Sequence, residues 1–262
     1  MQHMMGRVIS VMLLLVLMAG CATRHNQLTQ VSTIDAILAG AYDGTMTCGD
    51  LTRHGDFGIG TFDRLDGEMV ILDGTVYQVR ADGKVYCPDA TVKTPFAAVV
   101  PFASDVAQRL PAGTGFASLQ EIIDRAAPNR NLFAAVRVRG SFRWMKTRSV
   151  PAQSRPYPPL VEVTKTQAVF DLQDVRGTIV GFRSPPYVKG INVPGYHLHF
   201  ITDDLQAGGH VLDFELMEGS ADIDRCNRFL LILPEDDRFG RVNLGVDRSR
   251  ELEEAERLRE KQ

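Results

Sequence analysis

The stretch G-T-F-D-R-L-D-G-E-M-V-I-L-D-G-T-V-Y-Q-V-R-A-D-G-K-V-Y-C, Gly60 to Cys87, decides the fold class. Short runs rich in β-branched and aromatic residues are split here by Asp66-Gly67, Asp73-Gly74 and Asp82-Gly83. Asp-Gly pairs supply the left-handed backbone that tight hairpin turns need. G-T-F-D-R-L, E-M-V-I-L, T-V-Y-Q-V and K-V-Y-C therefore read as a meander of strands. Upstream, a polar N-cap and helical apolar spacing predict a helix over Ser32 to Leu38, ended by Gly40. Downstream, Ser118 and Glu121 form an S-x-x-E capping box before I-I-D-R-A-A, a helix closed by Pro128.

The second half opens with partial alternation in F-A-A-V-R-V-R-G-S-F-R-W, and further strands are expected at 166–171, 177–182, 196–201, 211–216 and 229–233. The proline-rich loop from Val150 to Pro159 marks the expected boundary. The pattern predicts an α+β (mixed α/β) fold with two mostly antiparallel or mixed β-sheets and a few helices. These are expected to form two sub-domains, 31–150 and 151–262, the second carrying a histidine site and the terminal helix, with the site in the cleft.

Composition narrows the function classes. The chain of 262 residues has 44% hydrophobic residues, enough for a sizeable core, and a net charge of only -3. With no long basic tract, it lacks the electrostatic footprint of a nucleic-acid binder. At the N-terminus, Arg7 precedes an apolar run from Val8 to Gly20, too short to span a bilayer and flanked like a signal peptide. It ends in L-M-A-G-C, Leu17 to Cys21, which resembles a bacterial lipobox whose cysteine is acylated. Residues 1–21 are thus expected to direct export, with Cys21 as the lipidation site and the lipid as the membrane anchor. Plain cleavage near Ala22 is the alternative. Residues 22–30 are polar and read as a tether, and the tail from Arg248 reads as a solvated helix of mixed charge. Export permits disulfides, yet Cys48, Cys87 and Cys226 are odd in number, and three buried thiols are expected rather than a Cys48–Cys87 bridge.

Three histidines carry the chemistry. In G-Y-H-L-H-F, His197 and His199 stand one residue apart, so on a strand both project from one face. A Gly-rich turn, D-D-L-Q-A-G-G, leads to His210, placing it on a neighbouring antiparallel strand within reach of that face. Three neutral imidazoles make a Zn²⁺ site with coordination positions left open, the pattern of a catalytic site. The bland alternative is sheet histidines satisfied by backbone. Spacing alone does not separate Zn²⁺ from Fe²⁺, Mn²⁺ or Ni²⁺.

Several segments occur in an order that resembles the acetolactate decarboxylase family: G-T-F-D-R-L-D-G-E-M-V-I-L-D-G-T-V-Y-Q, V-K-T-P-F-A-A-V, K-T-R-S-V-P, P-Y-P-P-L, G-T-I-V-G-F-R-S-P-P-Y, and N-V-P-G-Y-H-L-H-F with D-D-L-Q-A-G-G-H. The likeness covers about residues 30 to 260. It implies conversion of 2-acetolactate to acetoin and CO₂, a zinc cofactor, a two-domain α/β fold and a homodimer. It maps the zinc ligands onto His197, His199 and His210, and it adds Glu68, Arg148 and Glu256 as active-site residues. Thr61 and Leu65, in the same T-F-D-R-L stretch, are weaker candidates for substrate contact.

The chemistry accounts for such groups. Loss of CO₂ from a β-keto acid leaves two electrons that delocalise as an enediolate, and a metal chelated by the ketone and hydroxyl oxygens stabilises that charge. Protonation then gives acetoin. Arg148 can hold a carboxylate but, being always charged, is a poor general acid. Glu68 and Glu256 offer paired carboxylates for proton handling. Helical geometry lets Glu256 face inward with Leu252 and Ala255 but does not select it over its neighbouring glutamates. Two rivals stand beside this reading. A cupin-like oxygenase or isomerase wants a glutamate shortly after the second histidine, where only Asp203 and Asp204 occur. A non-catalytic exported metal-binding lipoprotein predicts no buried carboxylates beside the metal.

Overall fold

The computed structural model describes residues 26–256. The segment expected to be a lipobox, with Cys21, and residues 22–25 lie outside the described residues. Strands run in the order β1 (Gln27–Val31), β2 (Met46–Thr47), β3 (Phe57–Thr61), β4 (Glu68–Leu72), β5 (Thr75–Val79), β6 (Val85–Tyr86) and β7 (Lys93–Thr94). They continue with β8 (Ala97–Val100), β9 (Val106–Leu110), β10 (Phe133–Ser149), β11 (Ala168–Ser184), β12 (Gly195–Thr202), β13 (Gly208–Cys226) and β14 (Arg228–Ile232). The fold is mixed α/β.

The Asp-Gly meander forms, with one change. Asp73 and Gly74 both adopt positive φ and join β4 to β5 at the Leu72↔Thr75 pair, the two-residue hairpin their sequence dictates. Gly83 closes the next turn, also at positive φ. Asp66-Gly67 makes no such hairpin. β3 ends at Thr61, and a 3-10 turn over Asp63–Leu65 carries the chain to β4. Arg64 and Leu65 sit there in left-handed backbone. Such a conformation costs an ordinary residue about 1–2 kcal/mol. It is held because Arg64 N donates to Tyr42 O at 2.8 Å and Leu65 N to Phe62 O at 2.9 Å.

Helix starts move by a residue or more from the sequence expectation. Ser32 lies at positive φ, and Thr33 caps the helix Ile34–Leu38 instead, its Oγ1 accepting from Ala36 N. The helix Phe116–Ala126 begins ahead of Ser118. Ser118 sits inside the first turn and its Oγ accepts from Gly115 N at 2.9 Å, so it satisfies the cap from within.

A seven-stranded sheet runs β14-β1-β8-β3-β4-β5-β6, and a five-stranded sheet runs β10-β11-β12-β13-β9. The second is antiparallel throughout, and since β10 pairs with both β11 and β13 it closes on itself. The first contains one parallel pair, β1 with β14. Strand membership does not follow a division at residue 150. β9 and β10 join the later strands, and β14 returns to the earlier sheet. The polar stretch assigned to a tether becomes β1 from Gln27 onward, buried between β14 and β8. Its polar side chains are paired rather than solvated: Gln30 donates to Ile191 O and accepts from Asn192 Nδ2. The expected strands at 166–171 and 177–182 are one continuous β11.

Alternation along the strands builds the core on both faces. Phe133 and Ala135 of β10 meet Leu28, Phe57, Ile59 and Val70 between the sheets, while Ala134, Val136 and Val138 face Leu119 and Ile123 of the helix Phe116–Ala126. A further cluster brings Ile34 and Ile37, Leu65, Phe96, Val150 and Leu160 together with Leu252 and Ala255 of the C-terminal helix Ser249–Glu256. That cluster forms the apolar side of the site. Cys48 and Cys226 are buried free thiols as expected. Cys87 is exposed, because it follows the edge strand β6, and no Cys48–Cys87 bridge forms.

Candidate active site

Strand register assembles the site. β12 and β13 pair His199 directly with His210, and β13 and β10 pair His210 with Arg148. These three side chains therefore form one row across neighbouring strands, with His197 two residues along β12 on the same face. The row depends on an irregularity. Lys146 pairs with Asp213, yet Thr147 pairs with Val211. The extra residue on β13 is a bulge that shifts register by one and brings Arg148 opposite His210 instead of Val211. Gly209, at φ +129, allows the close approach, since a Cβ there would lie 2.5 Å from Arg148 O.

The three imidazoles point inward together. Their ring centroids are 5.0–5.4 Å apart, and one ligand nitrogen from each lies within 4.8 Å of the others. Burial, and then the Arg148 guanidinium, pushes His197 down to about 3. His199 and His210 are held well below the usual histidine range, chiefly by burial. All three are thus neutral and carry lone pairs at physiological pH. His199 Nδ1 lies 2.8 Å from Met69 O on β4 and must donate to it, which assigns the proton to Nδ1 and leaves Nε2 as an acceptor. That Nε2 is buried with no hydrogen-bond partner, and the nearest carboxylate oxygen, Glu68 Oε2, is 3.5 Å away. On the other side, His210 Nε2 lies 3.4 Å from Glu256 Oε2. Imidazole nitrogens facing carboxylate oxygens at these separations leave room for a cation between them. The donor set fits a divalent metal such as zinc.

Around this centre the structure gathers the catalytic, metal-ligand and substrate-contact candidates singled out in the sequence. Glu68, at the start of β4, is buried, and that burial raises its pKa to about 7, the Arg148 charge opposing. Glu256 is the last described residue of the C-terminal helix, and its pKa is likewise raised by burial and opposed by Arg148. Leu252 and Ala255 dock that helix by their buried side chains, which selects Glu256 as the inward glutamate. Arg148 is 5% exposed; its Nη2 lies 3.7 Å from Glu256 Oε1. Thr61 pairs with Glu68 across β3 and β4, and its hydroxyl donates to Gly67 O at 2.8 Å. Leu65 and Thr61 line the same small cavity as the histidines, about 60 Å³ in volume.

Three kinds of contributor escaped the sequence reading. Ile34, Ile37, Phe96, Val150 and Leu160 complete the cavity's apolar wall. The Met69 carbonyl orients His199. Gln167 Oε1 accepts from Arg148 Nη1 at 3.0 Å. The helical spacing of Ile34 and Ile37 was visible, but which side they face depends on packing. A backbone carbonyl carries no side-chain signal at all.

Known proteins share this constellation's framework. The family profile of alpha-acetolactate decarboxylase matches residues 28–246. The alpha-acetolactate decarboxylase of Methanosarcina mazei is 49% identical over 230 residues, 88% of this chain and 80% of the relative. That of Bacillus subtilis strain 168 is 40% identical over 232 residues, 88% of this chain and 91% of the relative. The crystal structure of the alpha-acetolactate decarboxylase from Bacillus subtilis strain 168 superposes with a TM-score of 0.87 at 39% identity, covering 88% of this chain and 100% of that one. The two carboxylates set beside the histidines argue against a mere metal-storage protein, and the profile spans seven of the eight site residues. Sequence, fold and the order of these segments agree: the chain belongs to the alpha-acetolactate decarboxylase family.

Proposed function

We propose that the chain converts 2-acetolactate to acetoin and CO₂ at a zinc site held by His197, His199 and His210, with Glu68, Arg148 and Glu256 as its working side chains. The observation that carries this reading is the convergence of three imidazoles, one buried carboxylate, one half-buried carboxylate and one buried guanidinium on a single cavity. A zinc ion bound by the imidazoles supplies Lewis acidity for the negative charge released as CO₂ departs. In the reaction the bond to the carboxylate carbon breaks, its electron pair stays on the adjacent carbon, and a proton takes the place of CO₂.

The chain's own groups bind, orient and handle that proton. Arg148 receives the substrate carboxylate, since its Nε is buried without a partner and its charge is permanent. Glu68, with its pKa near 7, can hold or release a proton at neutral pH, which suits a general acid or base. Glu256 lies between Arg148 and His210, where its charge favours both the guanidinium and a metal-bound imidazole. The aliphatic wall of Ile34, Ile37, Leu65 and Leu160 accepts the substrate's methyl groups and excludes water.

Two further readings belong to the proposal. Export by the N-terminal segment, with Cys21 lipidated, rests on the run from Val8 to Cys21. A homodimer is supported by β14. It is an edge strand that exposes Phe229 and Leu230, with Leu233 50% exposed just beyond it. A second copy of the same edge would satisfy its open backbone groups and cover those side chains.

The test is an assay of acetoin and CO₂ from racemic acetolactate, using folded protein lacking residues 1–21, loaded with zinc or stripped by chelator. Product that disappears on chelation and returns with zinc is expected. No product from the folded, zinc-loaded protein would overturn the function.

A further inference from the structure

We infer that Gln167 is a positioning residue that aims the Arg148 guanidinium without adding a further negative charge beside it, an inference that rests on the acetolactate reading above. Among the described contacts of this guanidinium, the bond from Nη1 to Gln167 Oε1, at 3.0 Å, is the one of ordinary hydrogen-bond length. Nη2 stands 3.7 Å from Glu256 Oε1, and Nε is buried with no partner. The five donors of a guanidinium lie in one plane, so holding Nη1 also fixes where Nε and Nη2 point. The edge left available is Nε with Nη2, a fork that matches a carboxylate.

The fold places both ends of this contact on one ladder. Arg148 and Ser149 of β10 pair with Val169 and Ala168 of β11, and Gln167 immediately precedes Ala168. A 3-10 turn over Thr164–Thr166 leads into it. Gln167 does not line the cavity, so it reaches the substrate only through Arg148.

The acceptor's charge is the telling feature. Two negative charges already act on Arg148: the Glu256 carboxylate 3.7 Å away, and that of Glu68 through its field. A third carboxylate at position 167 would satisfy Nη1 equally well, but it would also neutralise the cation before the substrate anion arrived. An amide oxygen supplies the same geometry without that charge. Position 167 therefore tolerates an acceptor only if it is neutral.

Gln167→Glu separates the two roles, because it keeps an acceptor of the same length and adds only charge. Steady-state kinetics of acetoin formation are measured for the wild type, Gln167→Glu and Gln167→Met, together with zinc content and melting temperature. Gln167→Glu is expected to raise KM about 10-fold or more, the effect of one charge-assisted contact, with zinc content unchanged. Gln167→Met, which loses the aim but not the charge, is expected to lower kcat/KM with a smaller rise in KM. A merely structural role predicts the reverse, with the glutamate variant near wild type. KM for Gln167→Glu within twofold of wild type would overturn the inference. Should that variant not fold, Gln167→Met decides it, and kcat/KM within twofold of wild type would overturn the inference equally. A wild type that makes no acetoin would instead sink the decarboxylase reading itself.

Discussion

Replacing His199 with alanine tests the metal site by two effects that can be measured apart. The side chain is 1% exposed, and its Nδ1 binds Met69 O at 2.8 Å, a link between the two sheets. Stranding that buried carbonyl costs about 1–3 kcal/mol, which in a chain of this size lowers Tm by roughly 2–12 °C. This loss appears even in metal-free protein. The second effect needs the metal. A cation at 100 times its dissociation constant stabilises the folded state by about 2.7 kcal/mol, or roughly 5–10 °C. Melting curves of protein lacking residues 1–21, with zinc and with chelator, separate the terms, and elemental analysis counts the bound ion. The wild type is expected to show the full zinc-dependent rise. The variant should melt lower in chelator and show little or no rise with zinc. An unchanged zinc content and an unchanged zinc-dependent rise in His199→Ala would refute the ligand assignment, whatever happened to activity.

The remaining predictions address other parts of the site and the fold. Arg148→Ala is expected to keep its zinc and lose about 10²–10³ in turnover, as removal of one preorganised donor does; elemental analysis beside the acetoin assay checks both halves. Leu252→Ala loosens the C-terminal helix by about 2 kcal/mol, and since Glu256 rides on that helix, activity should fall further than zinc content, as read by assay and metal analysis of the same sample. Gly60→Ala would put a Cβ 2.4 Å from Phe96 O, so β3 must move from β8. A cost of about 1–3 kcal/mol is expected in urea melts, and a neutral result would count against this close strand contact. In the native protein lacking residues 1–21, a thiol reagent should label Cys87 promptly and reach Cys48 and Cys226 only on unfolding. Rapid labelling of all three would contradict the packing.

Much of the site was legible because its signals are local. The i, i+2 spacing of His197 and His199 needs only the pleat of a strand, and the Gly-rich turn to His210 needs only a hairpin. Asp73-Gly74 made its turn because those two residues accept left-handed backbone at little cost. Other local signals misled. The same Asp-Gly pattern at 66–67 was taken up into a longer connection, where contacts from Tyr42 and Phe62 hold Arg64 and Leu65 in a strained form. Polar composition at 22–30 suggested solvent, yet Gln30 satisfies its amide inside the sheet. Composition reports what a residue prefers on average, and a buried partner can reverse that preference.

The sequence by itself determined the Asp73-Gly74 hairpin and most of the strands after residue 133, that three imidazoles share one face, and that the order of the segments along the chain is that of a decarboxylase family. Tertiary structure decided the rest. The bulge between Asp213 and Val211 sets Arg148 opposite His210, docking of Leu252 and Ala255 picks Glu256 from a helix crowded with glutamates, and a backbone carbonyl chooses the tautomer of His199. Each of these turns on a one-residue register, a packed helix face or a main-chain atom. Such choices depend on contacts between residues far apart in the chain, and no short window of sequence encodes them.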